Sequence, residues 1–292
     1  MNHWQAIAEQ IAAASGEPFD PQPPATLGGG CINEAVRLTD GTRTWFVKLN
    51  RAELLDMFDA EYDGLKAMHD THSIRVPRPL CTGQAGGRSF IAMEHLAFGR
   101  AAAGGHALAG RQLAAMHRCT APGFGWQRDN TIGSTPQPNA WRDDWIAFWR
   151  DQRLGFQLDL AAAKGFGGQL QRLGEQLRGR FAALLDHDPR PALLHGDLWG
   201  GNYGFDADGA PVIFDPASYF GDREADLAMT ELFGGFPADF HAAYREAWPL
   251  APGYEVRRTL YNLYHILNLL NLFGGGYAGQ AENMMRRLLA EV

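Results

Sequence analysis

Apolar positions in the first hundred residues switch between helical and strand-like spacing. Residues 3–14 and 53–69 repeat with a helical period, the second through Leu54, Met57, Phe58, Tyr62, Leu65 and Met68. Short runs of β-branched and aromatic residues lie between and after these helices, and Asp40-Gly41 is a strong hairpin signal. The pattern predicts a small antiparallel sheet with one helix inserted after the third strand.

Helical spacing dominates after Gly105. It predicts helices at 106–118, 140–163, 168–186, 222–232, 238–248, 256–273 and 278–290. A loop at 121–138 and two short strands around Asp208-Gly209 interrupt them, and residues 98–105 have the small-residue composition of a hinge. We therefore predict an α+β, bilobal chain with a β-rich lobe at 1–97 and a helical lobe at 98–292.

The most apolar late segment, 260–273, does not have the pattern of a membrane span. Polar side chains interrupt it at Asn262, His265, Asn268 and Asn271. A spanning helix needs about 20 consecutive apolar residues, so the segment is interpreted as a buried helix of the protein core.

Charge and cysteine content narrow the partners and the compartment. The net charge of -7 argues against nucleic acid or an anionic membrane as the main partner, because both reward clustered Lys and Arg. Cys31, Cys81 and Cys119 are widely spaced, without a CxxC pair, which is typical of reduced thiols. The N-terminus lacks the pattern of a secretory signal. These features predict a cytoplasmic location and leave the oligomeric state open.

The candidate chemistry begins in the predicted sheet. Gly28, Gly29 and Gly30 lie between two strands, where backbone N–H groups can approach a phosphate, although most glycine triplets are simply flexible turns. Lys48 lies on the third strand, and Glu61 follows on the next helix. Each alone is more typical of a surface residue, but together they match a lysine that holds phosphates and a carboxylate that pairs with it.

A second set of polar residues lies at 194–226. Asp197 is followed five residues later by Asn202, and Asp215 comes after a short apolar strand. Phosphoryl transfer to an alcohol needs a carboxylate to accept the hydroxyl proton and oxygen ligands for Mg²⁺. Asp197 suits the first role, and Asn202 and Asp215 suit the second. His195 is interpreted as a brace for this loop.

The neighbouring acidic residues suit structural roles better than metal binding. Asp222 precedes a predicted helix and is interpreted as its cap, and Asp226 as a support for the loop that carries Asp197. We assign no metal to these residues or to Glu224.

Two stretches, HGDLWGGN and DPASYFGDREADLA, make the chain resemble the fructosamine kinase (ketosamine 3-kinase) family. This family belongs to the protein-kinase-like superfamily, together with the aminoglycoside and choline kinases. The resemblance also covers LGGGCINEA, VKLN, VPRPL, AMEHL, NAWRDDW and LFGGFP, and so extends over nearly the whole chain. The tryptophan after HGDL, DPA in place of the DFG of protein kinases, and LFGGFP are the features that point to this family.

The resemblance implies a bilobal kinase fold that uses ATP and Mg²⁺. It implies that Lys48 and Glu61 anchor phosphates, that Asp197 is the base, that Asn202 and Asp215 bind Mg²⁺, and that the backbone of the hinge meets adenine at Met93, Glu94, His95 and Leu96. The substrate would be a ketosamine, free or on a protein, phosphorylated at its 3-hydroxyl. The product sheds its sugar, which makes such enzymes deglycating.

The roles of four tryptophans and one cysteine remain open. Trp199 follows the base and could stack on a sugar or pack in the core. Trp141, Trp145 and Trp149 recur at helical spacing, which is more typical of a core, although Trp141 could reach the acceptor. Cys31 follows the glycine triplet and is either an ordinary small side chain or a redox-sensitive thiol.

Two other functions are compatible with the motifs. One is a kinase for another hydroxylated metabolite, such as an aminoglycoside, choline or a sugar. The other is a catalytically inactive nucleotide-binding regulator, although such a protein is free to lose Lys48, Asp197, Asn202 and Asp215.

Overall fold

The computed structural model describes residues 3–28 and 33–292. Their contacts divide the chain into two compact units, one reaching to Gly105 and including Tyr203–Pro216, the other formed by His106–Asn202 and Ala217–Val292. We call these the sheet unit and the helical unit. The predicted lobe limits of 1–97 and 98–292 stay a prediction.

The described strands and helices are numbered in chain order. The strands are β1 (Ala25–Leu27), β2 (Glu34–Thr39), β3 (Thr44–Arg51), β4 (Pro79–Ala85), β5 (Arg88–Glu94), β6 (Asn130–Ile132), β7 (Thr135–Gln137), β8 (Ala192–Leu194), β9 (Tyr203–Phe205), β10 (Pro211–Ile213) and β11 (Tyr219–Gly221). The helices are α1 (His3–Ser15), α2 (Leu55–Asp70), α3 (Gly105–Met116), α4 (Trp145–Trp149), α5 (Phe156–Ala163), α6 (Gln169–Arg180), α7 (Glu224–Leu232), α8 (Ala238–Ala247), α9 (Tyr254–Phe273) and α10 (Ala278–Leu289).

The sheet unit is built on five antiparallel strands in the order β1-β2-β3-β5-β4. Trp45, Val47 and Leu49 of β3 join Ile7 and Ile11 of α1 in one buried cluster. Because side chains alternate along a strand, Lys48 faces away from that cluster. Glu61 of α2 contacts it on that other side of the sheet. The predicted antiparallel sheet and the helix after its third strand are confirmed.

The β9–β10 hairpin is part of the sheet unit. Gly99 donates from its backbone N–H to the Phe205 carbonyl at 2.9 Å, and Ile213 donates to the Arg75 carbonyl at 3.0 Å. The Arg75 guanidinium pairs with Asp206 of the hairpin and, at 2.8 Å, with Glu94 at the end of β5. These contacts hold the hairpin to the sheet, and Asp215 follows it by two residues.

Helix α9 forms the centre of the helical unit and packs against α5, α7 and α10. The polar residues that interrupt its apolar face, Asn262, His265, Asn268 and Asn271, are buried, and Asn271 donates to the Gln157 side chain at 2.7 Å. The interpretation of 260–273 as a core helix is thus confirmed. In the described part of the chain, no helix has the length and apolar character needed to cross a membrane.

Two features of the helical unit differ from the pattern-based prediction. The segment 121–138 contains the β6–β7 hairpin, and β8 pairs with β11, whose residues lie 25 or more positions later in the chain. The helix predicted at 140–163 begins only at Trp145, where Asp144 caps it, and contains a π-helical segment, Arg150–Gly155. Three-residue strands bury too few side chains to produce a visible alternation, which is why periodicity did not reveal them.

Candidate active site

Lys48 is the centre of the site in the sheet unit. Its Nζ lies 2.7 Å from Glu61 Oε1 and 2.6 Å from Asp215 Oδ1, and its side chain is only 9% exposed. The strand β3, the helix α2 and the segment after β10 each supply one of these three residues. The structure therefore brings together the predicted phosphate-anchoring pair and one predicted metal ligand.

The charges and burial of this trio explain the pKa shifts of Lys48 and Glu61. Burial alone would lower the pKa of Lys48, but the carboxylates of Glu61 and Asp215 outweigh it and raise that pKa above its usual value. Burial raises the pKa of Glu61, and the Lys48 ammonium opposes that shift. Lys48 is thus held charged in a protected position, as a cation for phosphate oxygens must be.

Asp215 has an unusual backbone for a residue with a side chain. Its φ angle is 58°, in the left-handed region. Among non-glycine residues, Asp and Asn visit this region most readily, because their short polar side chains can bond locally. The side chain is 48% exposed even though it contacts the buried Lys48.

The loop after β8 carries Asp197 in the helical unit. Asp226 of α7 accepts the backbone N–H groups of His195 and Gly196 at 2.7 and 2.8 Å. Burial alone would raise the pKa of Asp226, but hydrogen bonds from His117 and Gly196 outweigh it and hold the pKa below its usual value. The interpretation of Asp226 as a support for this loop is confirmed by these contacts.

His195 is fully buried and braces the same loop. Its Nδ1 accepts the backbone N–H of Asp197 at 3.2 Å. Gly196 has a φ of +83°, and a Cβ there would lie 2.1 Å from the Ala217 carbonyl oxygen, so only glycine fits. The geometry therefore fixes the backbone immediately before Asp197 from two sides.

Asn202 is oriented by Asp197. Its Nδ2 donates to the Asp197 carbonyl at 2.9 Å and to Asp197 Oδ2 at 3.3 Å. Because the amide nitrogen points toward Asp197, the amide oxygen Oδ1 is the atom directed elsewhere. Mg²⁺ prefers hard oxygen donors, and the amide oxygen of Asn202 and the carboxylate of Asp215 are each of that type, so each residue has the chemistry predicted for a ligand of that ion.

Trp199 lies on the surface and not in the core. Its indole is 41% exposed and covers Gly201, where an added Cβ would lie 2.2 Å from two ring atoms. The neighbouring Gly200 packs backbone to backbone against Gly235, where a Cβ would lie 2.9 Å from the Gly200 Cα. Gly201 therefore leaves room for the Trp199 ring, and Gly200 and Gly235 allow the two motifs to pack closely beside it.

The helical tryptophan stripe divides between core and surface. Trp145 and Trp149 are buried, whereas Trp141 is 46% exposed and stacks on Phe220 with ring centroids 6.1 Å apart. The core interpretation is therefore right for two of the three. Trp141 offers a second exposed indole face in the helical unit.

The remaining predicted nucleotide residues lie in the sheet unit. Met93 is buried at the end of β5, and Glu94, His95 and Leu96 are half-buried as the chain leaves the strand. A Cβ on Gly28 would meet open space. Three predicted residues, Gly29, Gly30 and Cys31, lie outside the described residues, and their roles stay predictions.

His187, Asp222 and Glu224 form a cluster of side chains that could bind a metal, but its carboxylates already have partners within the protein. Their potential ligand atoms lie within 4.8 Å of one another. Asp222 pairs with His187 at 2.7 Å and accepts the Tyr261 hydroxyl, and Glu224 pairs with the fully buried Arg257 at 2.7 Å. Asp222 also accepts the Glu224 backbone N–H at 3.0 Å, but Arg223 occupies the N-cap position of α7, so the prediction that Asp222 is the cap was wrong by one residue. We assign no metal to this cluster.

The sequence did not reveal a buried polar network beside the loop of Asp197. Its side-chain members are Asn130, Gln137, Asn139, Arg153 and Tyr264. Amide residues in a Gly- and Pro-rich segment are ordinary turn residues by composition, so no signal marked them. Only the Gly133 turn between two short runs hinted at the hairpin that carries two of them.

The chain is similar to known proteins along almost its full length. Residues 3–291 match the family model for fructosamine kinase. A probable ketoamine kinase of Synechocystis is 50% identical over 98% of this chain and 97% of its own. A chloroplastic protein-ribulosamine 3-kinase of Oryza sativa subsp. indica is 46% identical over 89% of this chain and 77% of its own.

Solved structures agree with these relatives. A structure from Haemophilus somnus, assigned as a fructosamine-3-kinase, has a TM-score of 0.89 at 31% identity, covering 98% of both chains. An aminoglycoside phosphotransferase has a TM-score of 0.63 at 15% identity, covering 97% of this chain and 98% of its own, which shows a shared fold. The chain therefore has the α+β protein-kinase-like fold and belongs to the fructosamine kinase family.

Proposed function

We propose that this protein transfers the γ-phosphoryl group of ATP to the 3-hydroxyl of a ketosamine. The observation that carries the proposal is the buried Lys48 ammonium, held at 2.7 and 2.6 Å by Glu61 and Asp215. An enzyme that transfers phosphoryl groups needs such a fixed cation for phosphate oxygens. The family supplies the acceptor class, since its members are named as ketoamine and ribulosamine kinases.

Each residue has one role in the proposed reaction. Asp197 accepts the proton of the acceptor hydroxyl while the oxygen attacks the γ-phosphorus, and ADP leaves with the bond electrons. Lys48 binds phosphate oxygens, and Glu61 keeps its ammonium directed toward them. Met93 to Leu96 form the segment whose backbone meets adenine, and Gly28 to Gly30 approach the phosphates.

Asn202 and Asp215 would hold Mg²⁺. When bound, the ion neutralises negative charge on the phosphates. The bond from Asn202 to Asp197 supports this role, because it fixes the orientation of the proposed ligand relative to the proposed base.

Trp199 is proposed as the sugar-binding surface. An exposed indole face suits the C–H surface of a sugar ring, and the position of Trp199 two residues after the base places it in the acceptor loop. We expect the acceptor to be a free or protein-bound ketosamine. The free thiols of Cys81 and Cys119 suit a reducing compartment such as the cytoplasm.

The direct test is turnover with defined acceptors. The purified protein would be incubated with ATP, MgCl₂ and either ribulosyl-lysine or fructosyl-lysine, with ADP release measured and the phosphate located by NMR. We expect ADP release and a 3-phosphate. Tight ATP binding without turnover of either acceptor would indicate a nucleotide-binding regulator, and turnover only of another alcohol would indicate a different metabolite kinase.

The Asp197→Asn variant tests the base. A general base contributes about 10²- to 10⁴-fold to a rate, so we expect kcat to fall by that factor. The Kd for ATP should be unchanged, since Asp197 acts on the acceptor. Asp188→Asn, at an exposed position of the same unit, serves as the control and should keep full activity. A parallel loss of ATP affinity and kcat would contradict the role.

A further inference from the structure

We propose that Gln137 is a positioning residue for the loop that carries Asp197. This inference rests on the proposed role of Asp197 as the base. It concerns a fully buried amide in the β6–β7 hairpin, 60 positions before Asp197 in the chain.

The segment after Pro216 forms one wall of the loop of Asp197. The Ala217 backbone N–H donates to the His195 carbonyl at 2.8 Å. The Ala217 carbonyl oxygen lies so close to Gly196 that a Cβ on that glycine would approach it to 2.1 Å. Any shift of Ala217 therefore moves His195 and Gly196, which directly precede Asp197.

Two side-chain amides of the β6–β7 hairpin hold this wall. Gln137 Nε2 donates to the Ala217 carbonyl at 3.1 Å, and Asn130 Nδ2 donates to the Ser218 carbonyl at 2.8 Å. Gln137 Nε2 also donates to Asn130 Oδ1 at 2.8 Å, which ties the two amides together. The consecutive carbonyls of Ala217 and Ser218 are thus held by two side chains that face each other across the β6–β7 hairpin.

The orientation of the Gln137 amide is determined by its neighbours. A backbone carbonyl only accepts, so the NH₂ group must face Ala217 and Oε1 must face the other way. There, Oε1 accepts the Tyr264 hydroxyl at 2.6 Å. Because every group is buried, a lost partner cannot be replaced readily by solvent.

The network is anchored further by a buried cation. Arg153 is fully buried, donates to Asn139 Oδ1 at 2.7 Å and lies over the Tyr219 ring at 4.1 Å. Asn139 in turn donates to Asn130 Oδ1 at 2.8 Å. The π-helical segment that contains Arg153 is therefore connected through three side chains to the wall of the loop.

Gln137→Leu removes the donor while keeping most of the side-chain volume. We expect kcat for the ketosamine to fall by up to about 100-fold, the effect of a displacement of about 1 Å in a catalytic group. The KM for ATP should be unchanged. The backbone amides of His195 and Gly196 should also exchange with solvent faster. Without the Gln137 bond the loop is held less firmly, so the hydrogen bonds from these amides to Asp226 open more often.

Gln171→Leu is the matched control. Gln171 Nε2 also donates to backbone carbonyls, those of Leu158 at 3.1 Å and Phe166 at 2.9 Å, around the end of α5. We expect it to lose stability as Gln137→Leu does while keeping kcat and the exchange rates of the loop.

Equal kcat values in Gln137→Leu and the wild type, with a stability loss like that of Gln171→Leu, would overturn the inference. If Gln137→Leu does not fold, Tyr264→Phe decides: it removes only the hydroxyl that orients Oε1, and it should lower kcat by a smaller factor, whereas an unchanged kcat would overturn the inference. A wild-type protein without ketosamine turnover would instead contradict the proposed function.

Discussion

At the scale of single residues, the Lys48 ammonium stabilises the carboxylates of Glu61 and Asp215, which both contact it. The Glu61 side chain is only 11% exposed and burial raises its pKa, so it holds a proton more tightly than an exposed glutamate does. The Lys48 ammonium is what keeps that pKa from rising further. Removing the ammonium should therefore make the stability of the folded protein depend on whether Glu61 is protonated.

We predict that Lys48→Met destabilises the protein more at pH 8 than at pH 5. A carboxyl group whose pKa is raised by folding contributes stability at a pH below its ordinary pKa. That contribution is lost as the pH rises through the folded-state pKa. Leaving a buried charge unpaired costs roughly 3 kcal/mol, and protonation of Glu61 avoids much of that cost at low pH. Urea midpoints at the two pH values measure the difference.

The double variant Lys48→Met/Glu61→Gln is the control for this prediction. It removes the unpaired charge, so its stability should recover toward that of the wild type and lose the extra pH dependence. An equal loss at both pH values, with no recovery in the double variant, would show that Lys48 acts through packing instead.

The predictability of site residues depended on what their role requires. Lys48, Glu61, Asp197, Asn202 and Asp215 were visible because phosphoryl transfer needs particular residue types in a particular chain order. The contacts of Lys48 confirm that three of these side chains meet. Buried amides such as Gln137 act through geometry that only long-range pairing creates, and no local pattern could have revealed them.

At the scale of elements, close helix contacts in the helical unit depend on individual glycines. Helix α3 approaches α8 at Gly110, where a Cβ would lie 2.2 Å from the Phe240 carbonyl oxygen and 3.0 Å from the Tyr244 nitrogen. Both contacts are to backbone, which cannot rotate away as a side chain can. Gly179 of α6, by contrast, has open space at the Cβ position.

We predict opposite effects for alanine at these two helical glycines. Gly110→Ala should force α3 and α8 apart and destabilise by about 1–3 kcal/mol, the usual cost of overpacking. Gly179→Ala should stabilise by up to about 1 kcal/mol, because alanine favours the helix and meets no obstacle. Thermal unfolding of both variants measures this, and a stable Gly110→Ala protein would contradict the contact.

Helices and strands could be predicted where the spacing of apolar residues within the element itself showed a helical or strand period. Helices α1, α2, α8, α9 and α10 appear within two residues of their predicted bounds. The start of the helix predicted at 140–163 was wrong because helical spacing continues through residues that Asp144 excludes by capping α4. Strands β8 and β11 are three residues each and pair across 25 or more positions of sequence, so they depend on tertiary contacts that local periodicity does not show.

At the scale of the whole molecule, ligand binding should be visible as stability. A ligand at about 100 times its Kd adds about 2.7 kcal/mol, which for a chain of 292 residues corresponds to a rise in Tm of roughly 4 °C. We predict such a rise with ATP and Mg²⁺ together. EDTA should remove the part that depends on the metal.

The Asp215→Asn variant identifies the residue behind that metal-dependent part. We expect its Tm to rise with ATP but to respond little to Mg²⁺, since the amide replaces a charged oxygen ligand by a neutral one. A variant that responds to Mg²⁺ as the wild type does would remove Asp215 from the ligand set. Arg286→Gln, on the exposed face of α10, provides a control for changes in surface charge.

The left-handed backbone of Asp215 also restricts how this family could lose its activity by mutation. At a φ of 58°, asparagine and glycine can replace aspartate with little strain, whereas alanine or a β-branched residue costs about 1–2 kcal/mol in backbone energy alone. We therefore expect relatives that have lost catalysis but still fold to carry Asn or Gly at this position. Such a substitution, read in a genome beside an intact Lys48, would mark an inactive copy before any assay is done.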